Sequence, residues 1–326
     1  MTHAMVIHDT GGPEVMQWEE VEVGGPAVDE VKIQQTVVGF NMIDTYRRKG
    51  LYPCDVPFIT GSEAAGVVDV VGSNVTDLNP GDRVVYAIAD FGAYTESRLI
   101  NADRLVRIPD DISDEIAAAS FLKGLTSWYL IHKTWQLKEG DCILVYAAAG
   151  GVGTILCQWA KHLGAHVIGV VGSDDKARLA KKYGCENVIN YSTEEIVPAV
   201  KEFTGGKGVD VVYDSIGADT FNASLDCLRP RGLMVTYGNA TGAVPPINVL
   251  ELMKKGSLFL TRPTLGHYAN LREDLLEGAG ALFDVIRSGV VKILINQEFD
   301  LNDAVNAHRQ VESRNTTGAT IFRCQA

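Results

Sequence analysis

The chain has 326 residues, 46% of them hydrophobic, and a formal net charge of −12. At about 100–200 residues per domain, that length predicts two domains with apolar residues enough for two cores. The acidic balance, without a clustered Lys/Arg tail, argues against nucleic acid as the main partner, because displacing counterions needs clustered positive charge.

The first twelve residues, MTHAMVIHDTGG, lack a basic segment followed by a long apolar one, so no signal peptide is expected. No run approaches the ~18 apolar residues of a membrane span. Up to residue 124, short strand patterns and turns dominate: EVKIQQTVVGF has a β-branched run, AAGVVDVVGSNV leads into a Gly-Ser-Asn turn, and Asn79-Pro80-Gly81-Asp82 precedes a further strand. Residues 1–124 therefore read as a β-rich, barrel-like domain. Inside it, NMIDTYRRKGLY (41–52) reads as a polar loop with neither Cys nor His.

Between residues 125 and 262 the texture changes. The runs CILVYA, HVIGVV, NVIN, VDVVYDSI and GLMVTYG alternate with helical segments, which predicts βαβ units and a parallel sheet. Residues 263–326 carry one long helix from roughly 272 to 288 and a short strand-like ending, expected to return to the first domain. Six cysteines, at 54, 142, 157, 185, 227 and 324, form no Cys-x-x-Cys. They read as free thiols of a reducing cytoplasm. The seven histidines form no His-Glu-x-x-His and no close pair with cysteine, so no zinc site is local in the sequence.

The strongest motif is the Gly-rich turn Ala148-x-Gly150-x-x-Gly153 between a strand and a helix. Val152, Ile155, Leu156, Trp159, Ala160 and Leu163 recur at helical spacing, and a second strand follows at His166–Val171. This is a dinucleotide fingerprint with Ala for the first Gly. Gly150 lets backbone approach a pyrophosphate, Gly153 lets helix and strand pack closely, and the free N–H groups of the helix N-terminus suit the phosphate charge. The second strand ends Val171-Gly172-Ser173 with no carboxylate at its tip, where NAD sites usually place one. Lys176 is positioned for a 2′-phosphate, and Tyr191 offers a hydroxyl to the same group. Asp174 and Asp175 lie between and also read as helix N-cap and dipole charges. The balance favours NADPH.

GFNMIDTYRRKGLYP, TGSEAAGVV, AAASFLKGLTSWYL, AAAGGVG, VVYDSIG and RGLMVTYGNATG together resemble the zeta-crystallin-type quinone oxidoreductases of the medium-chain dehydrogenase/reductase superfamily, across essentially the whole chain. The resemblance implies a doubly wound Rossmann sheet (125–262), a GroES-like catalytic domain, a homodimer, an active site in the cleft between domains, and NADPH-dependent quinone reduction without metal or flavin. Where the zinc-dependent branch has a catalytic Cys and a Gly-His-Glu triplet, this chain has Asn41 and Gly61-Ser62-Glu63, and the four-cysteine lobe is absent. The resemblance implies a nicotinamide end lined by Met42, Ile43, Asp44, Thr45 and Tyr46, with Thr126 and Tyr129 below it. Gly151 and Val152 match the family's pyrophosphate turn, and Ile216, Tyr237, Gly238 and Asn239 match strand ends that hold the ribose and nicotinamide. Pro263, Thr264, Leu265 and Arg314 match the returning segment.

A quinone gains negative charge on oxygen as it accepts hydride, so donors are needed there. Asn41, Tyr46, Arg48 and Tyr52 are the candidates for the substrate pocket, and no residue is assigned as proton donor. Arg47 and Lys49 read as a solvated face, Glu63 as a structural hydrogen-bonding group and Lys123 as a helix-surface residue. Two other readings stand beside quinone reduction: reduction of α,β-unsaturated carbonyls in the same cleft, and a non-enzymatic crystallin-like or RNA-binding role.

Overall fold

The computed structural model describes residues 2–87 and 91–324. They fall into two compact units, one of Met1–Leu125, Leu271–Arg287 and Ile293–Ala326, the other of Thr126–Asn270 and Ser288–Lys292.

In the first unit, strand Glu30–Gly39 is the organising element. It buries Val31, Ile33, Gln35 and Val37 on one face, the period-2 pattern of a pleated strand. Glu63–Val71, Ser97–Asn101 and the last strand, Ala319–Arg323, all pair with it antiparallel. Ile295–Asp300, Arg83–Ala87 and Val106–Arg107 complete a seven-stranded sheet. Thr2–Ile7 joins Met16–Val21 and Phe58–Ile59 in a smaller one. The core between them holds Met5, Ile33, Val38, Tyr86, Tyr94, Leu105 and Phe322. The segment 41–52, read as a loop, contains the helix Met42–Arg48. Seven residues are too few to show a helical period in sequence.

The second unit is a parallel six-stranded sheet. Its neighbours run Asn187–Asn190, His166–Val171, Cys142–Tyr146, Val209–Asp214, Leu228–Thr236, Phe259–Thr261. Counted in chain order this is 3-2-1-4-5-6, the doubly wound order that the resemblance implied. Ile143, Leu144 and Val145 are wholly buried, as a strand covered on both faces requires. Helix Gly151–His162 turns Ile155, Leu156, Trp159 and Ala160 inward. Among the described residues, no helix is long and apolar enough to cross a membrane.

The six cysteines are all free thiols. Burial pushes Cys142 up to about 11 and Cys227 and Cys324 to about 12. Cys157 is raised too, by its hydrogen-bonding contact with Cys185 and by burial.

Candidate active site

In the second unit, the chain leaves strand Cys142–Tyr146 through Ala147 in a left-handed conformation (φ 50°). Gly150 (φ −85°, ψ 179°) then caps helix Gly151–His162 without any side-chain cap bond, and the first turn carries no acidic residue. Its N–H groups are thus offered to an external acceptor, at the positive end of the helix dipole. A Cβ on Gly153 would stand 2.2 Å from the Ala147 carbonyl oxygen, so only glycine permits this helix to approach this strand. The residues fit a diphosphate.

Beyond the turn, Gly172, Ser173, Lys176 and Tyr191 come together. A Cβ on Gly172 would lie 2.4 Å from the Tyr191 hydroxyl oxygen, so the exposed phenol rests against bare backbone. Ser173 caps helix Asp174–Lys182 by accepting the Lys176 N–H at 3.4 Å. The Lys176 ammonium is half-buried, and burial holds its pKa below the usual value. A phosphate beside it would favour the charged form. The two acids that blur the cofactor preference both have partners: Asp174 accepts from Asn190 and Asp175 pairs with Arg178.

At the ends of the next two strands, the buried Asp214 carboxylate is the organiser, a role the sequence did not suggest. It accepts from the Ile216 and Gly217 N–H groups and from the Thr220 and Ser224 hydroxyls, at 2.7–3.2 Å. This fixes the turn carrying Ile216. A Cβ on Gly238 would meet the Ser215 carbonyl oxygen at 2.3 Å, so Tyr237, Gly238 and Asn239 run directly beside that turn. Tyr129 is buried and stacks on Tyr268 at 4.6 Å. Burial raises its phenol, with Tyr237, Arg262 and Tyr268 as electrostatic neighbours. Arg262 and Tyr268 were missed in the sequence. Thr126, Pro263 and Leu265 are buried, whereas Thr264 is exposed as the N-cap of helix Leu265–Tyr268.

In the first unit, helix Met42–Arg48 starts with a reciprocal capping box between Asn41 and Asp44. The Asn41 amide donates to Glu63 Oε2 at 2.8 Å and to the Gly39 carbonyl at 3.4 Å. Glu63 also accepts from the Leu122 N–H at 2.5 Å and the Lys123 ammonium at 3.0 Å. The Asp44 carboxylate accepts from the Ser62 hydroxyl at 2.6 Å and the Asn41 N–H at 3.0 Å. Burial holds it up at about 6, against the opposing pull of Ser62, the Asn41 N–H, Arg47 and Lys123. Arg47 donates to Ser62 at 3.3 Å and lies 3.2 Å above the Phe91 ring. A continuous polar network therefore runs from Arg47 through Ser62, Asp44, Asn41 and Glu63 to Lys123.

This network corrects several expectations. Asn41 was read as a donor to substrate oxygen, but both of its amide hydrogens are committed within the protein. Arg48 was placed near substrate, but its side chain is 0% exposed and ion-paired to Glu312. It lies one helical turn after Asp44 on the inward face. Arg47, read as solvated, is the cation whose electrostatic neighbours include Tyr52. Lys123, read as a surface residue, is 5% exposed. Tyr46 is nearly buried and meets the half-exposed Tyr52 edge-to-face at 5.6 Å. Met42 and Ile43 are half-buried and Thr45 is buried. Arg314 is exposed in a left-handed conformation (φ 62°) two residues beyond Glu312.

Comparison with known proteins places these features in context. Residues 151–277 match the family model of zinc-binding dehydrogenases, and residues 27–110 match that of the alcohol dehydrogenase GroES-like domain. The chain is 50% identical to quinone oxidoreductase 1 of Escherichia coli, over 99% of both chains. It is 47% identical to the 2-haloacrylate reductase of a Burkholderia species, over 100% of both. The crystal structure of Escherichia coli quinone oxidoreductase complexed with NADPH superposes with a TM-score of 0.97 at 49% identity, covering 98% of this chain and 99% of that one.

Proposed function

The chain belongs to the quinone oxidoreductases of the medium-chain dehydrogenase/reductase superfamily, and from that premise we propose that it reduces quinones with NADPH and without zinc. The carrying observation is the cluster of Gly172, Ser173, Lys176 and Tyr191 beyond the Gly-rich turn: a half-buried cation, a hydroxyl and exposed backbone suited to a 2′-phosphate.

NADPH, when bound, supplies the hydride at its nicotinamide ring. The protein binds, orients and polarises. The N-terminus of helix Gly151–His162, with Gly150 to Gly153, takes the diphosphate. Ile216, Tyr237, Gly238 and Asn239 orient the ribose and nicotinamide. Thr126, Tyr129, Pro263, Thr264 and Leu265 complete the cofactor's surroundings, with Arg314 on the returning segment. We assign Met42, Ile43, Thr45 and Tyr46 to the nicotinamide end. Tyr46 and Tyr52 are the donors to the quinone oxygen on which charge builds. Asp44 serves the helix cap rather than the ligand.

The zinc reading fails on the chemistry of the donor set. An amide (Asn41) and a hydroxyl (Ser62) stand where thiolate and imidazole would be needed, and both are already used within the network. The first test is consumption of NADPH with 1,4-benzoquinone or 9,10-phenanthrenequinone after EDTA treatment. Activity that disappears with chelator, or no turnover at all, overturns the proposal.

A second reading is reduction of an activated C=C bond. It is supported by the likeness to a 2-haloacrylate reductase, whose named substrate is an α,β-unsaturated acid. Enones and acrylates belong in the same acceptor panel. We further propose a homodimer in a reducing cytoplasm. Strand Phe259–Thr261 ends the parallel sheet, and Phe259 is 60% exposed, as are Val249, Leu250 and Met253 of the segment that precedes it in the chain. An apolar sheet edge of this kind invites a second copy. A monomer by light scattering at micromolar concentration would remove it.

A further inference from the structure

We propose that Asn190 is a specificity-determining positioning residue. By holding the Asp174 carboxylate, it keeps that charge off the place where a cofactor 2′-phosphate meets Lys176. This rests on the NADPH reading above and deepens it.

Asn190 ends strand Asn187–Asn190 and is 6% exposed. The Ser192 N–H donates to its Oδ1 at 3.1 Å, so the amide presents Nδ2 to Asp174, donating to Oδ1 at 2.8 Å. The Asn190 backbone N–H is itself held by Glu194 Oε1 at 3.3 Å. The amide is therefore oriented by the Ser192 N–H on its oxygen side and by the Asp174 carboxylate on its nitrogen side, while Glu194 anchors the backbone beneath it.

Asp174 is the first residue of its helix, directly after the cap Ser173 and two before Lys176. A carboxylate in this neighbourhood is what an NAD site uses to accept the ribose 2′-hydroxyl. Toward a 2′-phosphate the same group is repulsive, and only its direction decides which effect operates. Asp175 is already paired with Arg178. Asp174 is thus the acid whose orientation matters, and Asn190 turns it toward the end of the neighbouring strand. The next residue, Tyr191, lies against Gly172. One short segment therefore both restrains the unwanted charge and furnishes a phosphate-facing hydroxyl.

The test is fluorescence titration and steady-state kinetics with NADPH and NADH on the wild type, Asn190→Ala, Asp174→Ser and the double variant. Asn190→Ala is expected to raise the NADPH Kd on the order of tenfold, the scale of one partly screened like charge. Its NADH Kd should stay level or fall, and kcat should hold. In the Asp174→Ser background the same substitution should leave NADPH binding unchanged. Asn190→Asp, which is isosteric and sets a like charge against Asp174, should shift selectivity in the same direction and serves if the alanine variant folds poorly. Equal losses for both cofactors, or an NADPH loss that persists without Asp174, would overturn the proposal. A wild type that binds the two cofactors equally would overturn the NADPH reading, and the proposal with it.

Discussion

The Lys123 ammonium lies 3.0 Å from Glu63 Oε2, with side chains 6% and 0% exposed. Both charges are withdrawn from water, so the pair is costly to break. Removing one partner of a buried pair typically costs about 3–5 kcal/mol. Glu63 keeps the Leu122 and Asn41 donors, so Lys123→Met is expected near the lower end, about 3 kcal/mol, read from the urea midpoint. A loss below about 0.5 kcal/mol would match an exposed pair instead and would refute the buried arrangement.

Asp44 and His308 give opposing pH dependences in the same unit. Asp44 titrates at about 6 in the fold, against an ordinary 3.8. The folded state binds its proton more tightly, so this contribution is fully present below about 3.8 and lost as pH rises through 6. His308 is buried, hydrogen-bonded to the Tyr94 hydroxyl at 3.0 Å and flanked by Phe40. Burial, reinforced by Arg48 and Lys49, pushes it down to about 3 from 6.5. Its contribution is present above 6.5 and lost as pH falls toward 3. Between about pH 4 and 6 the two slopes cancel at about 1.4 kcal/mol per pH unit each. Asp44→Asn should therefore expose a steep acid-side loss in that window. His308→Gln should expose the opposite slope, with stability rising as pH falls. Denaturation midpoints at four pH values decide the matter; identical profiles for all three proteins would refute it.

Tyr46→Phe with Tyr52→Phe removes both proposed donors while leaving their edge-to-face packing. Turnover with quinone should fall by about a hundredfold to a thousandfold, the scale for losing a donor to a developing oxyanion, while the NADPH Kd holds. An unchanged kcat would assign both rings to packing alone.

Gly153→Ala sets a Cβ 2.2 Å from a backbone oxygen, which no rotamer change can relieve. The helix must shift from the strand, and NADPH binding should weaken by more than about tenfold, measured by fluorescence titration. Gly150→Ala meets the same oxygen only at 3.2 Å and should be milder. The reverse ranking would argue against the close-approach role of Gly153.

What could be read in the sequence was what is local. The Gly-rich turn, the alternating strands and the inward face of helix Gly151–His162 are fixed within some thirty residues by period and turn chemistry. Pairings across the fold were not legible. Glu63 and Lys123 stand sixty positions apart, and nothing near FLKGLT marks its lysine as interior. The misplacing of Arg47 and Arg48 has the same origin. Once 41–52 is known to contain a helix, position 48 follows Asp44 inward and position 47 turns to Ser62 and Phe91. In a segment read as a loop, nothing marked Arg48 as the one that turns inward. The Asp214 turn was equally silent, because its four donors are two backbone amides and two common hydroxyls.

The sulfur chemistry of the chain bears on its durability. Quinones and enones arylate or alkylate thiolates, and only the thiolate is strongly nucleophilic. With Cys142, Cys227 and Cys324 raised to about 11–12, their reactive form at neutral pH is roughly one part in ten thousand or less. Cys157 is raised as well and sealed from solvent. A catalyst meant to meet electrophiles at every turnover thus keeps four of its six thiols in a form they attack slowly, so its working lifetime is protected by the same burial that fills its cores.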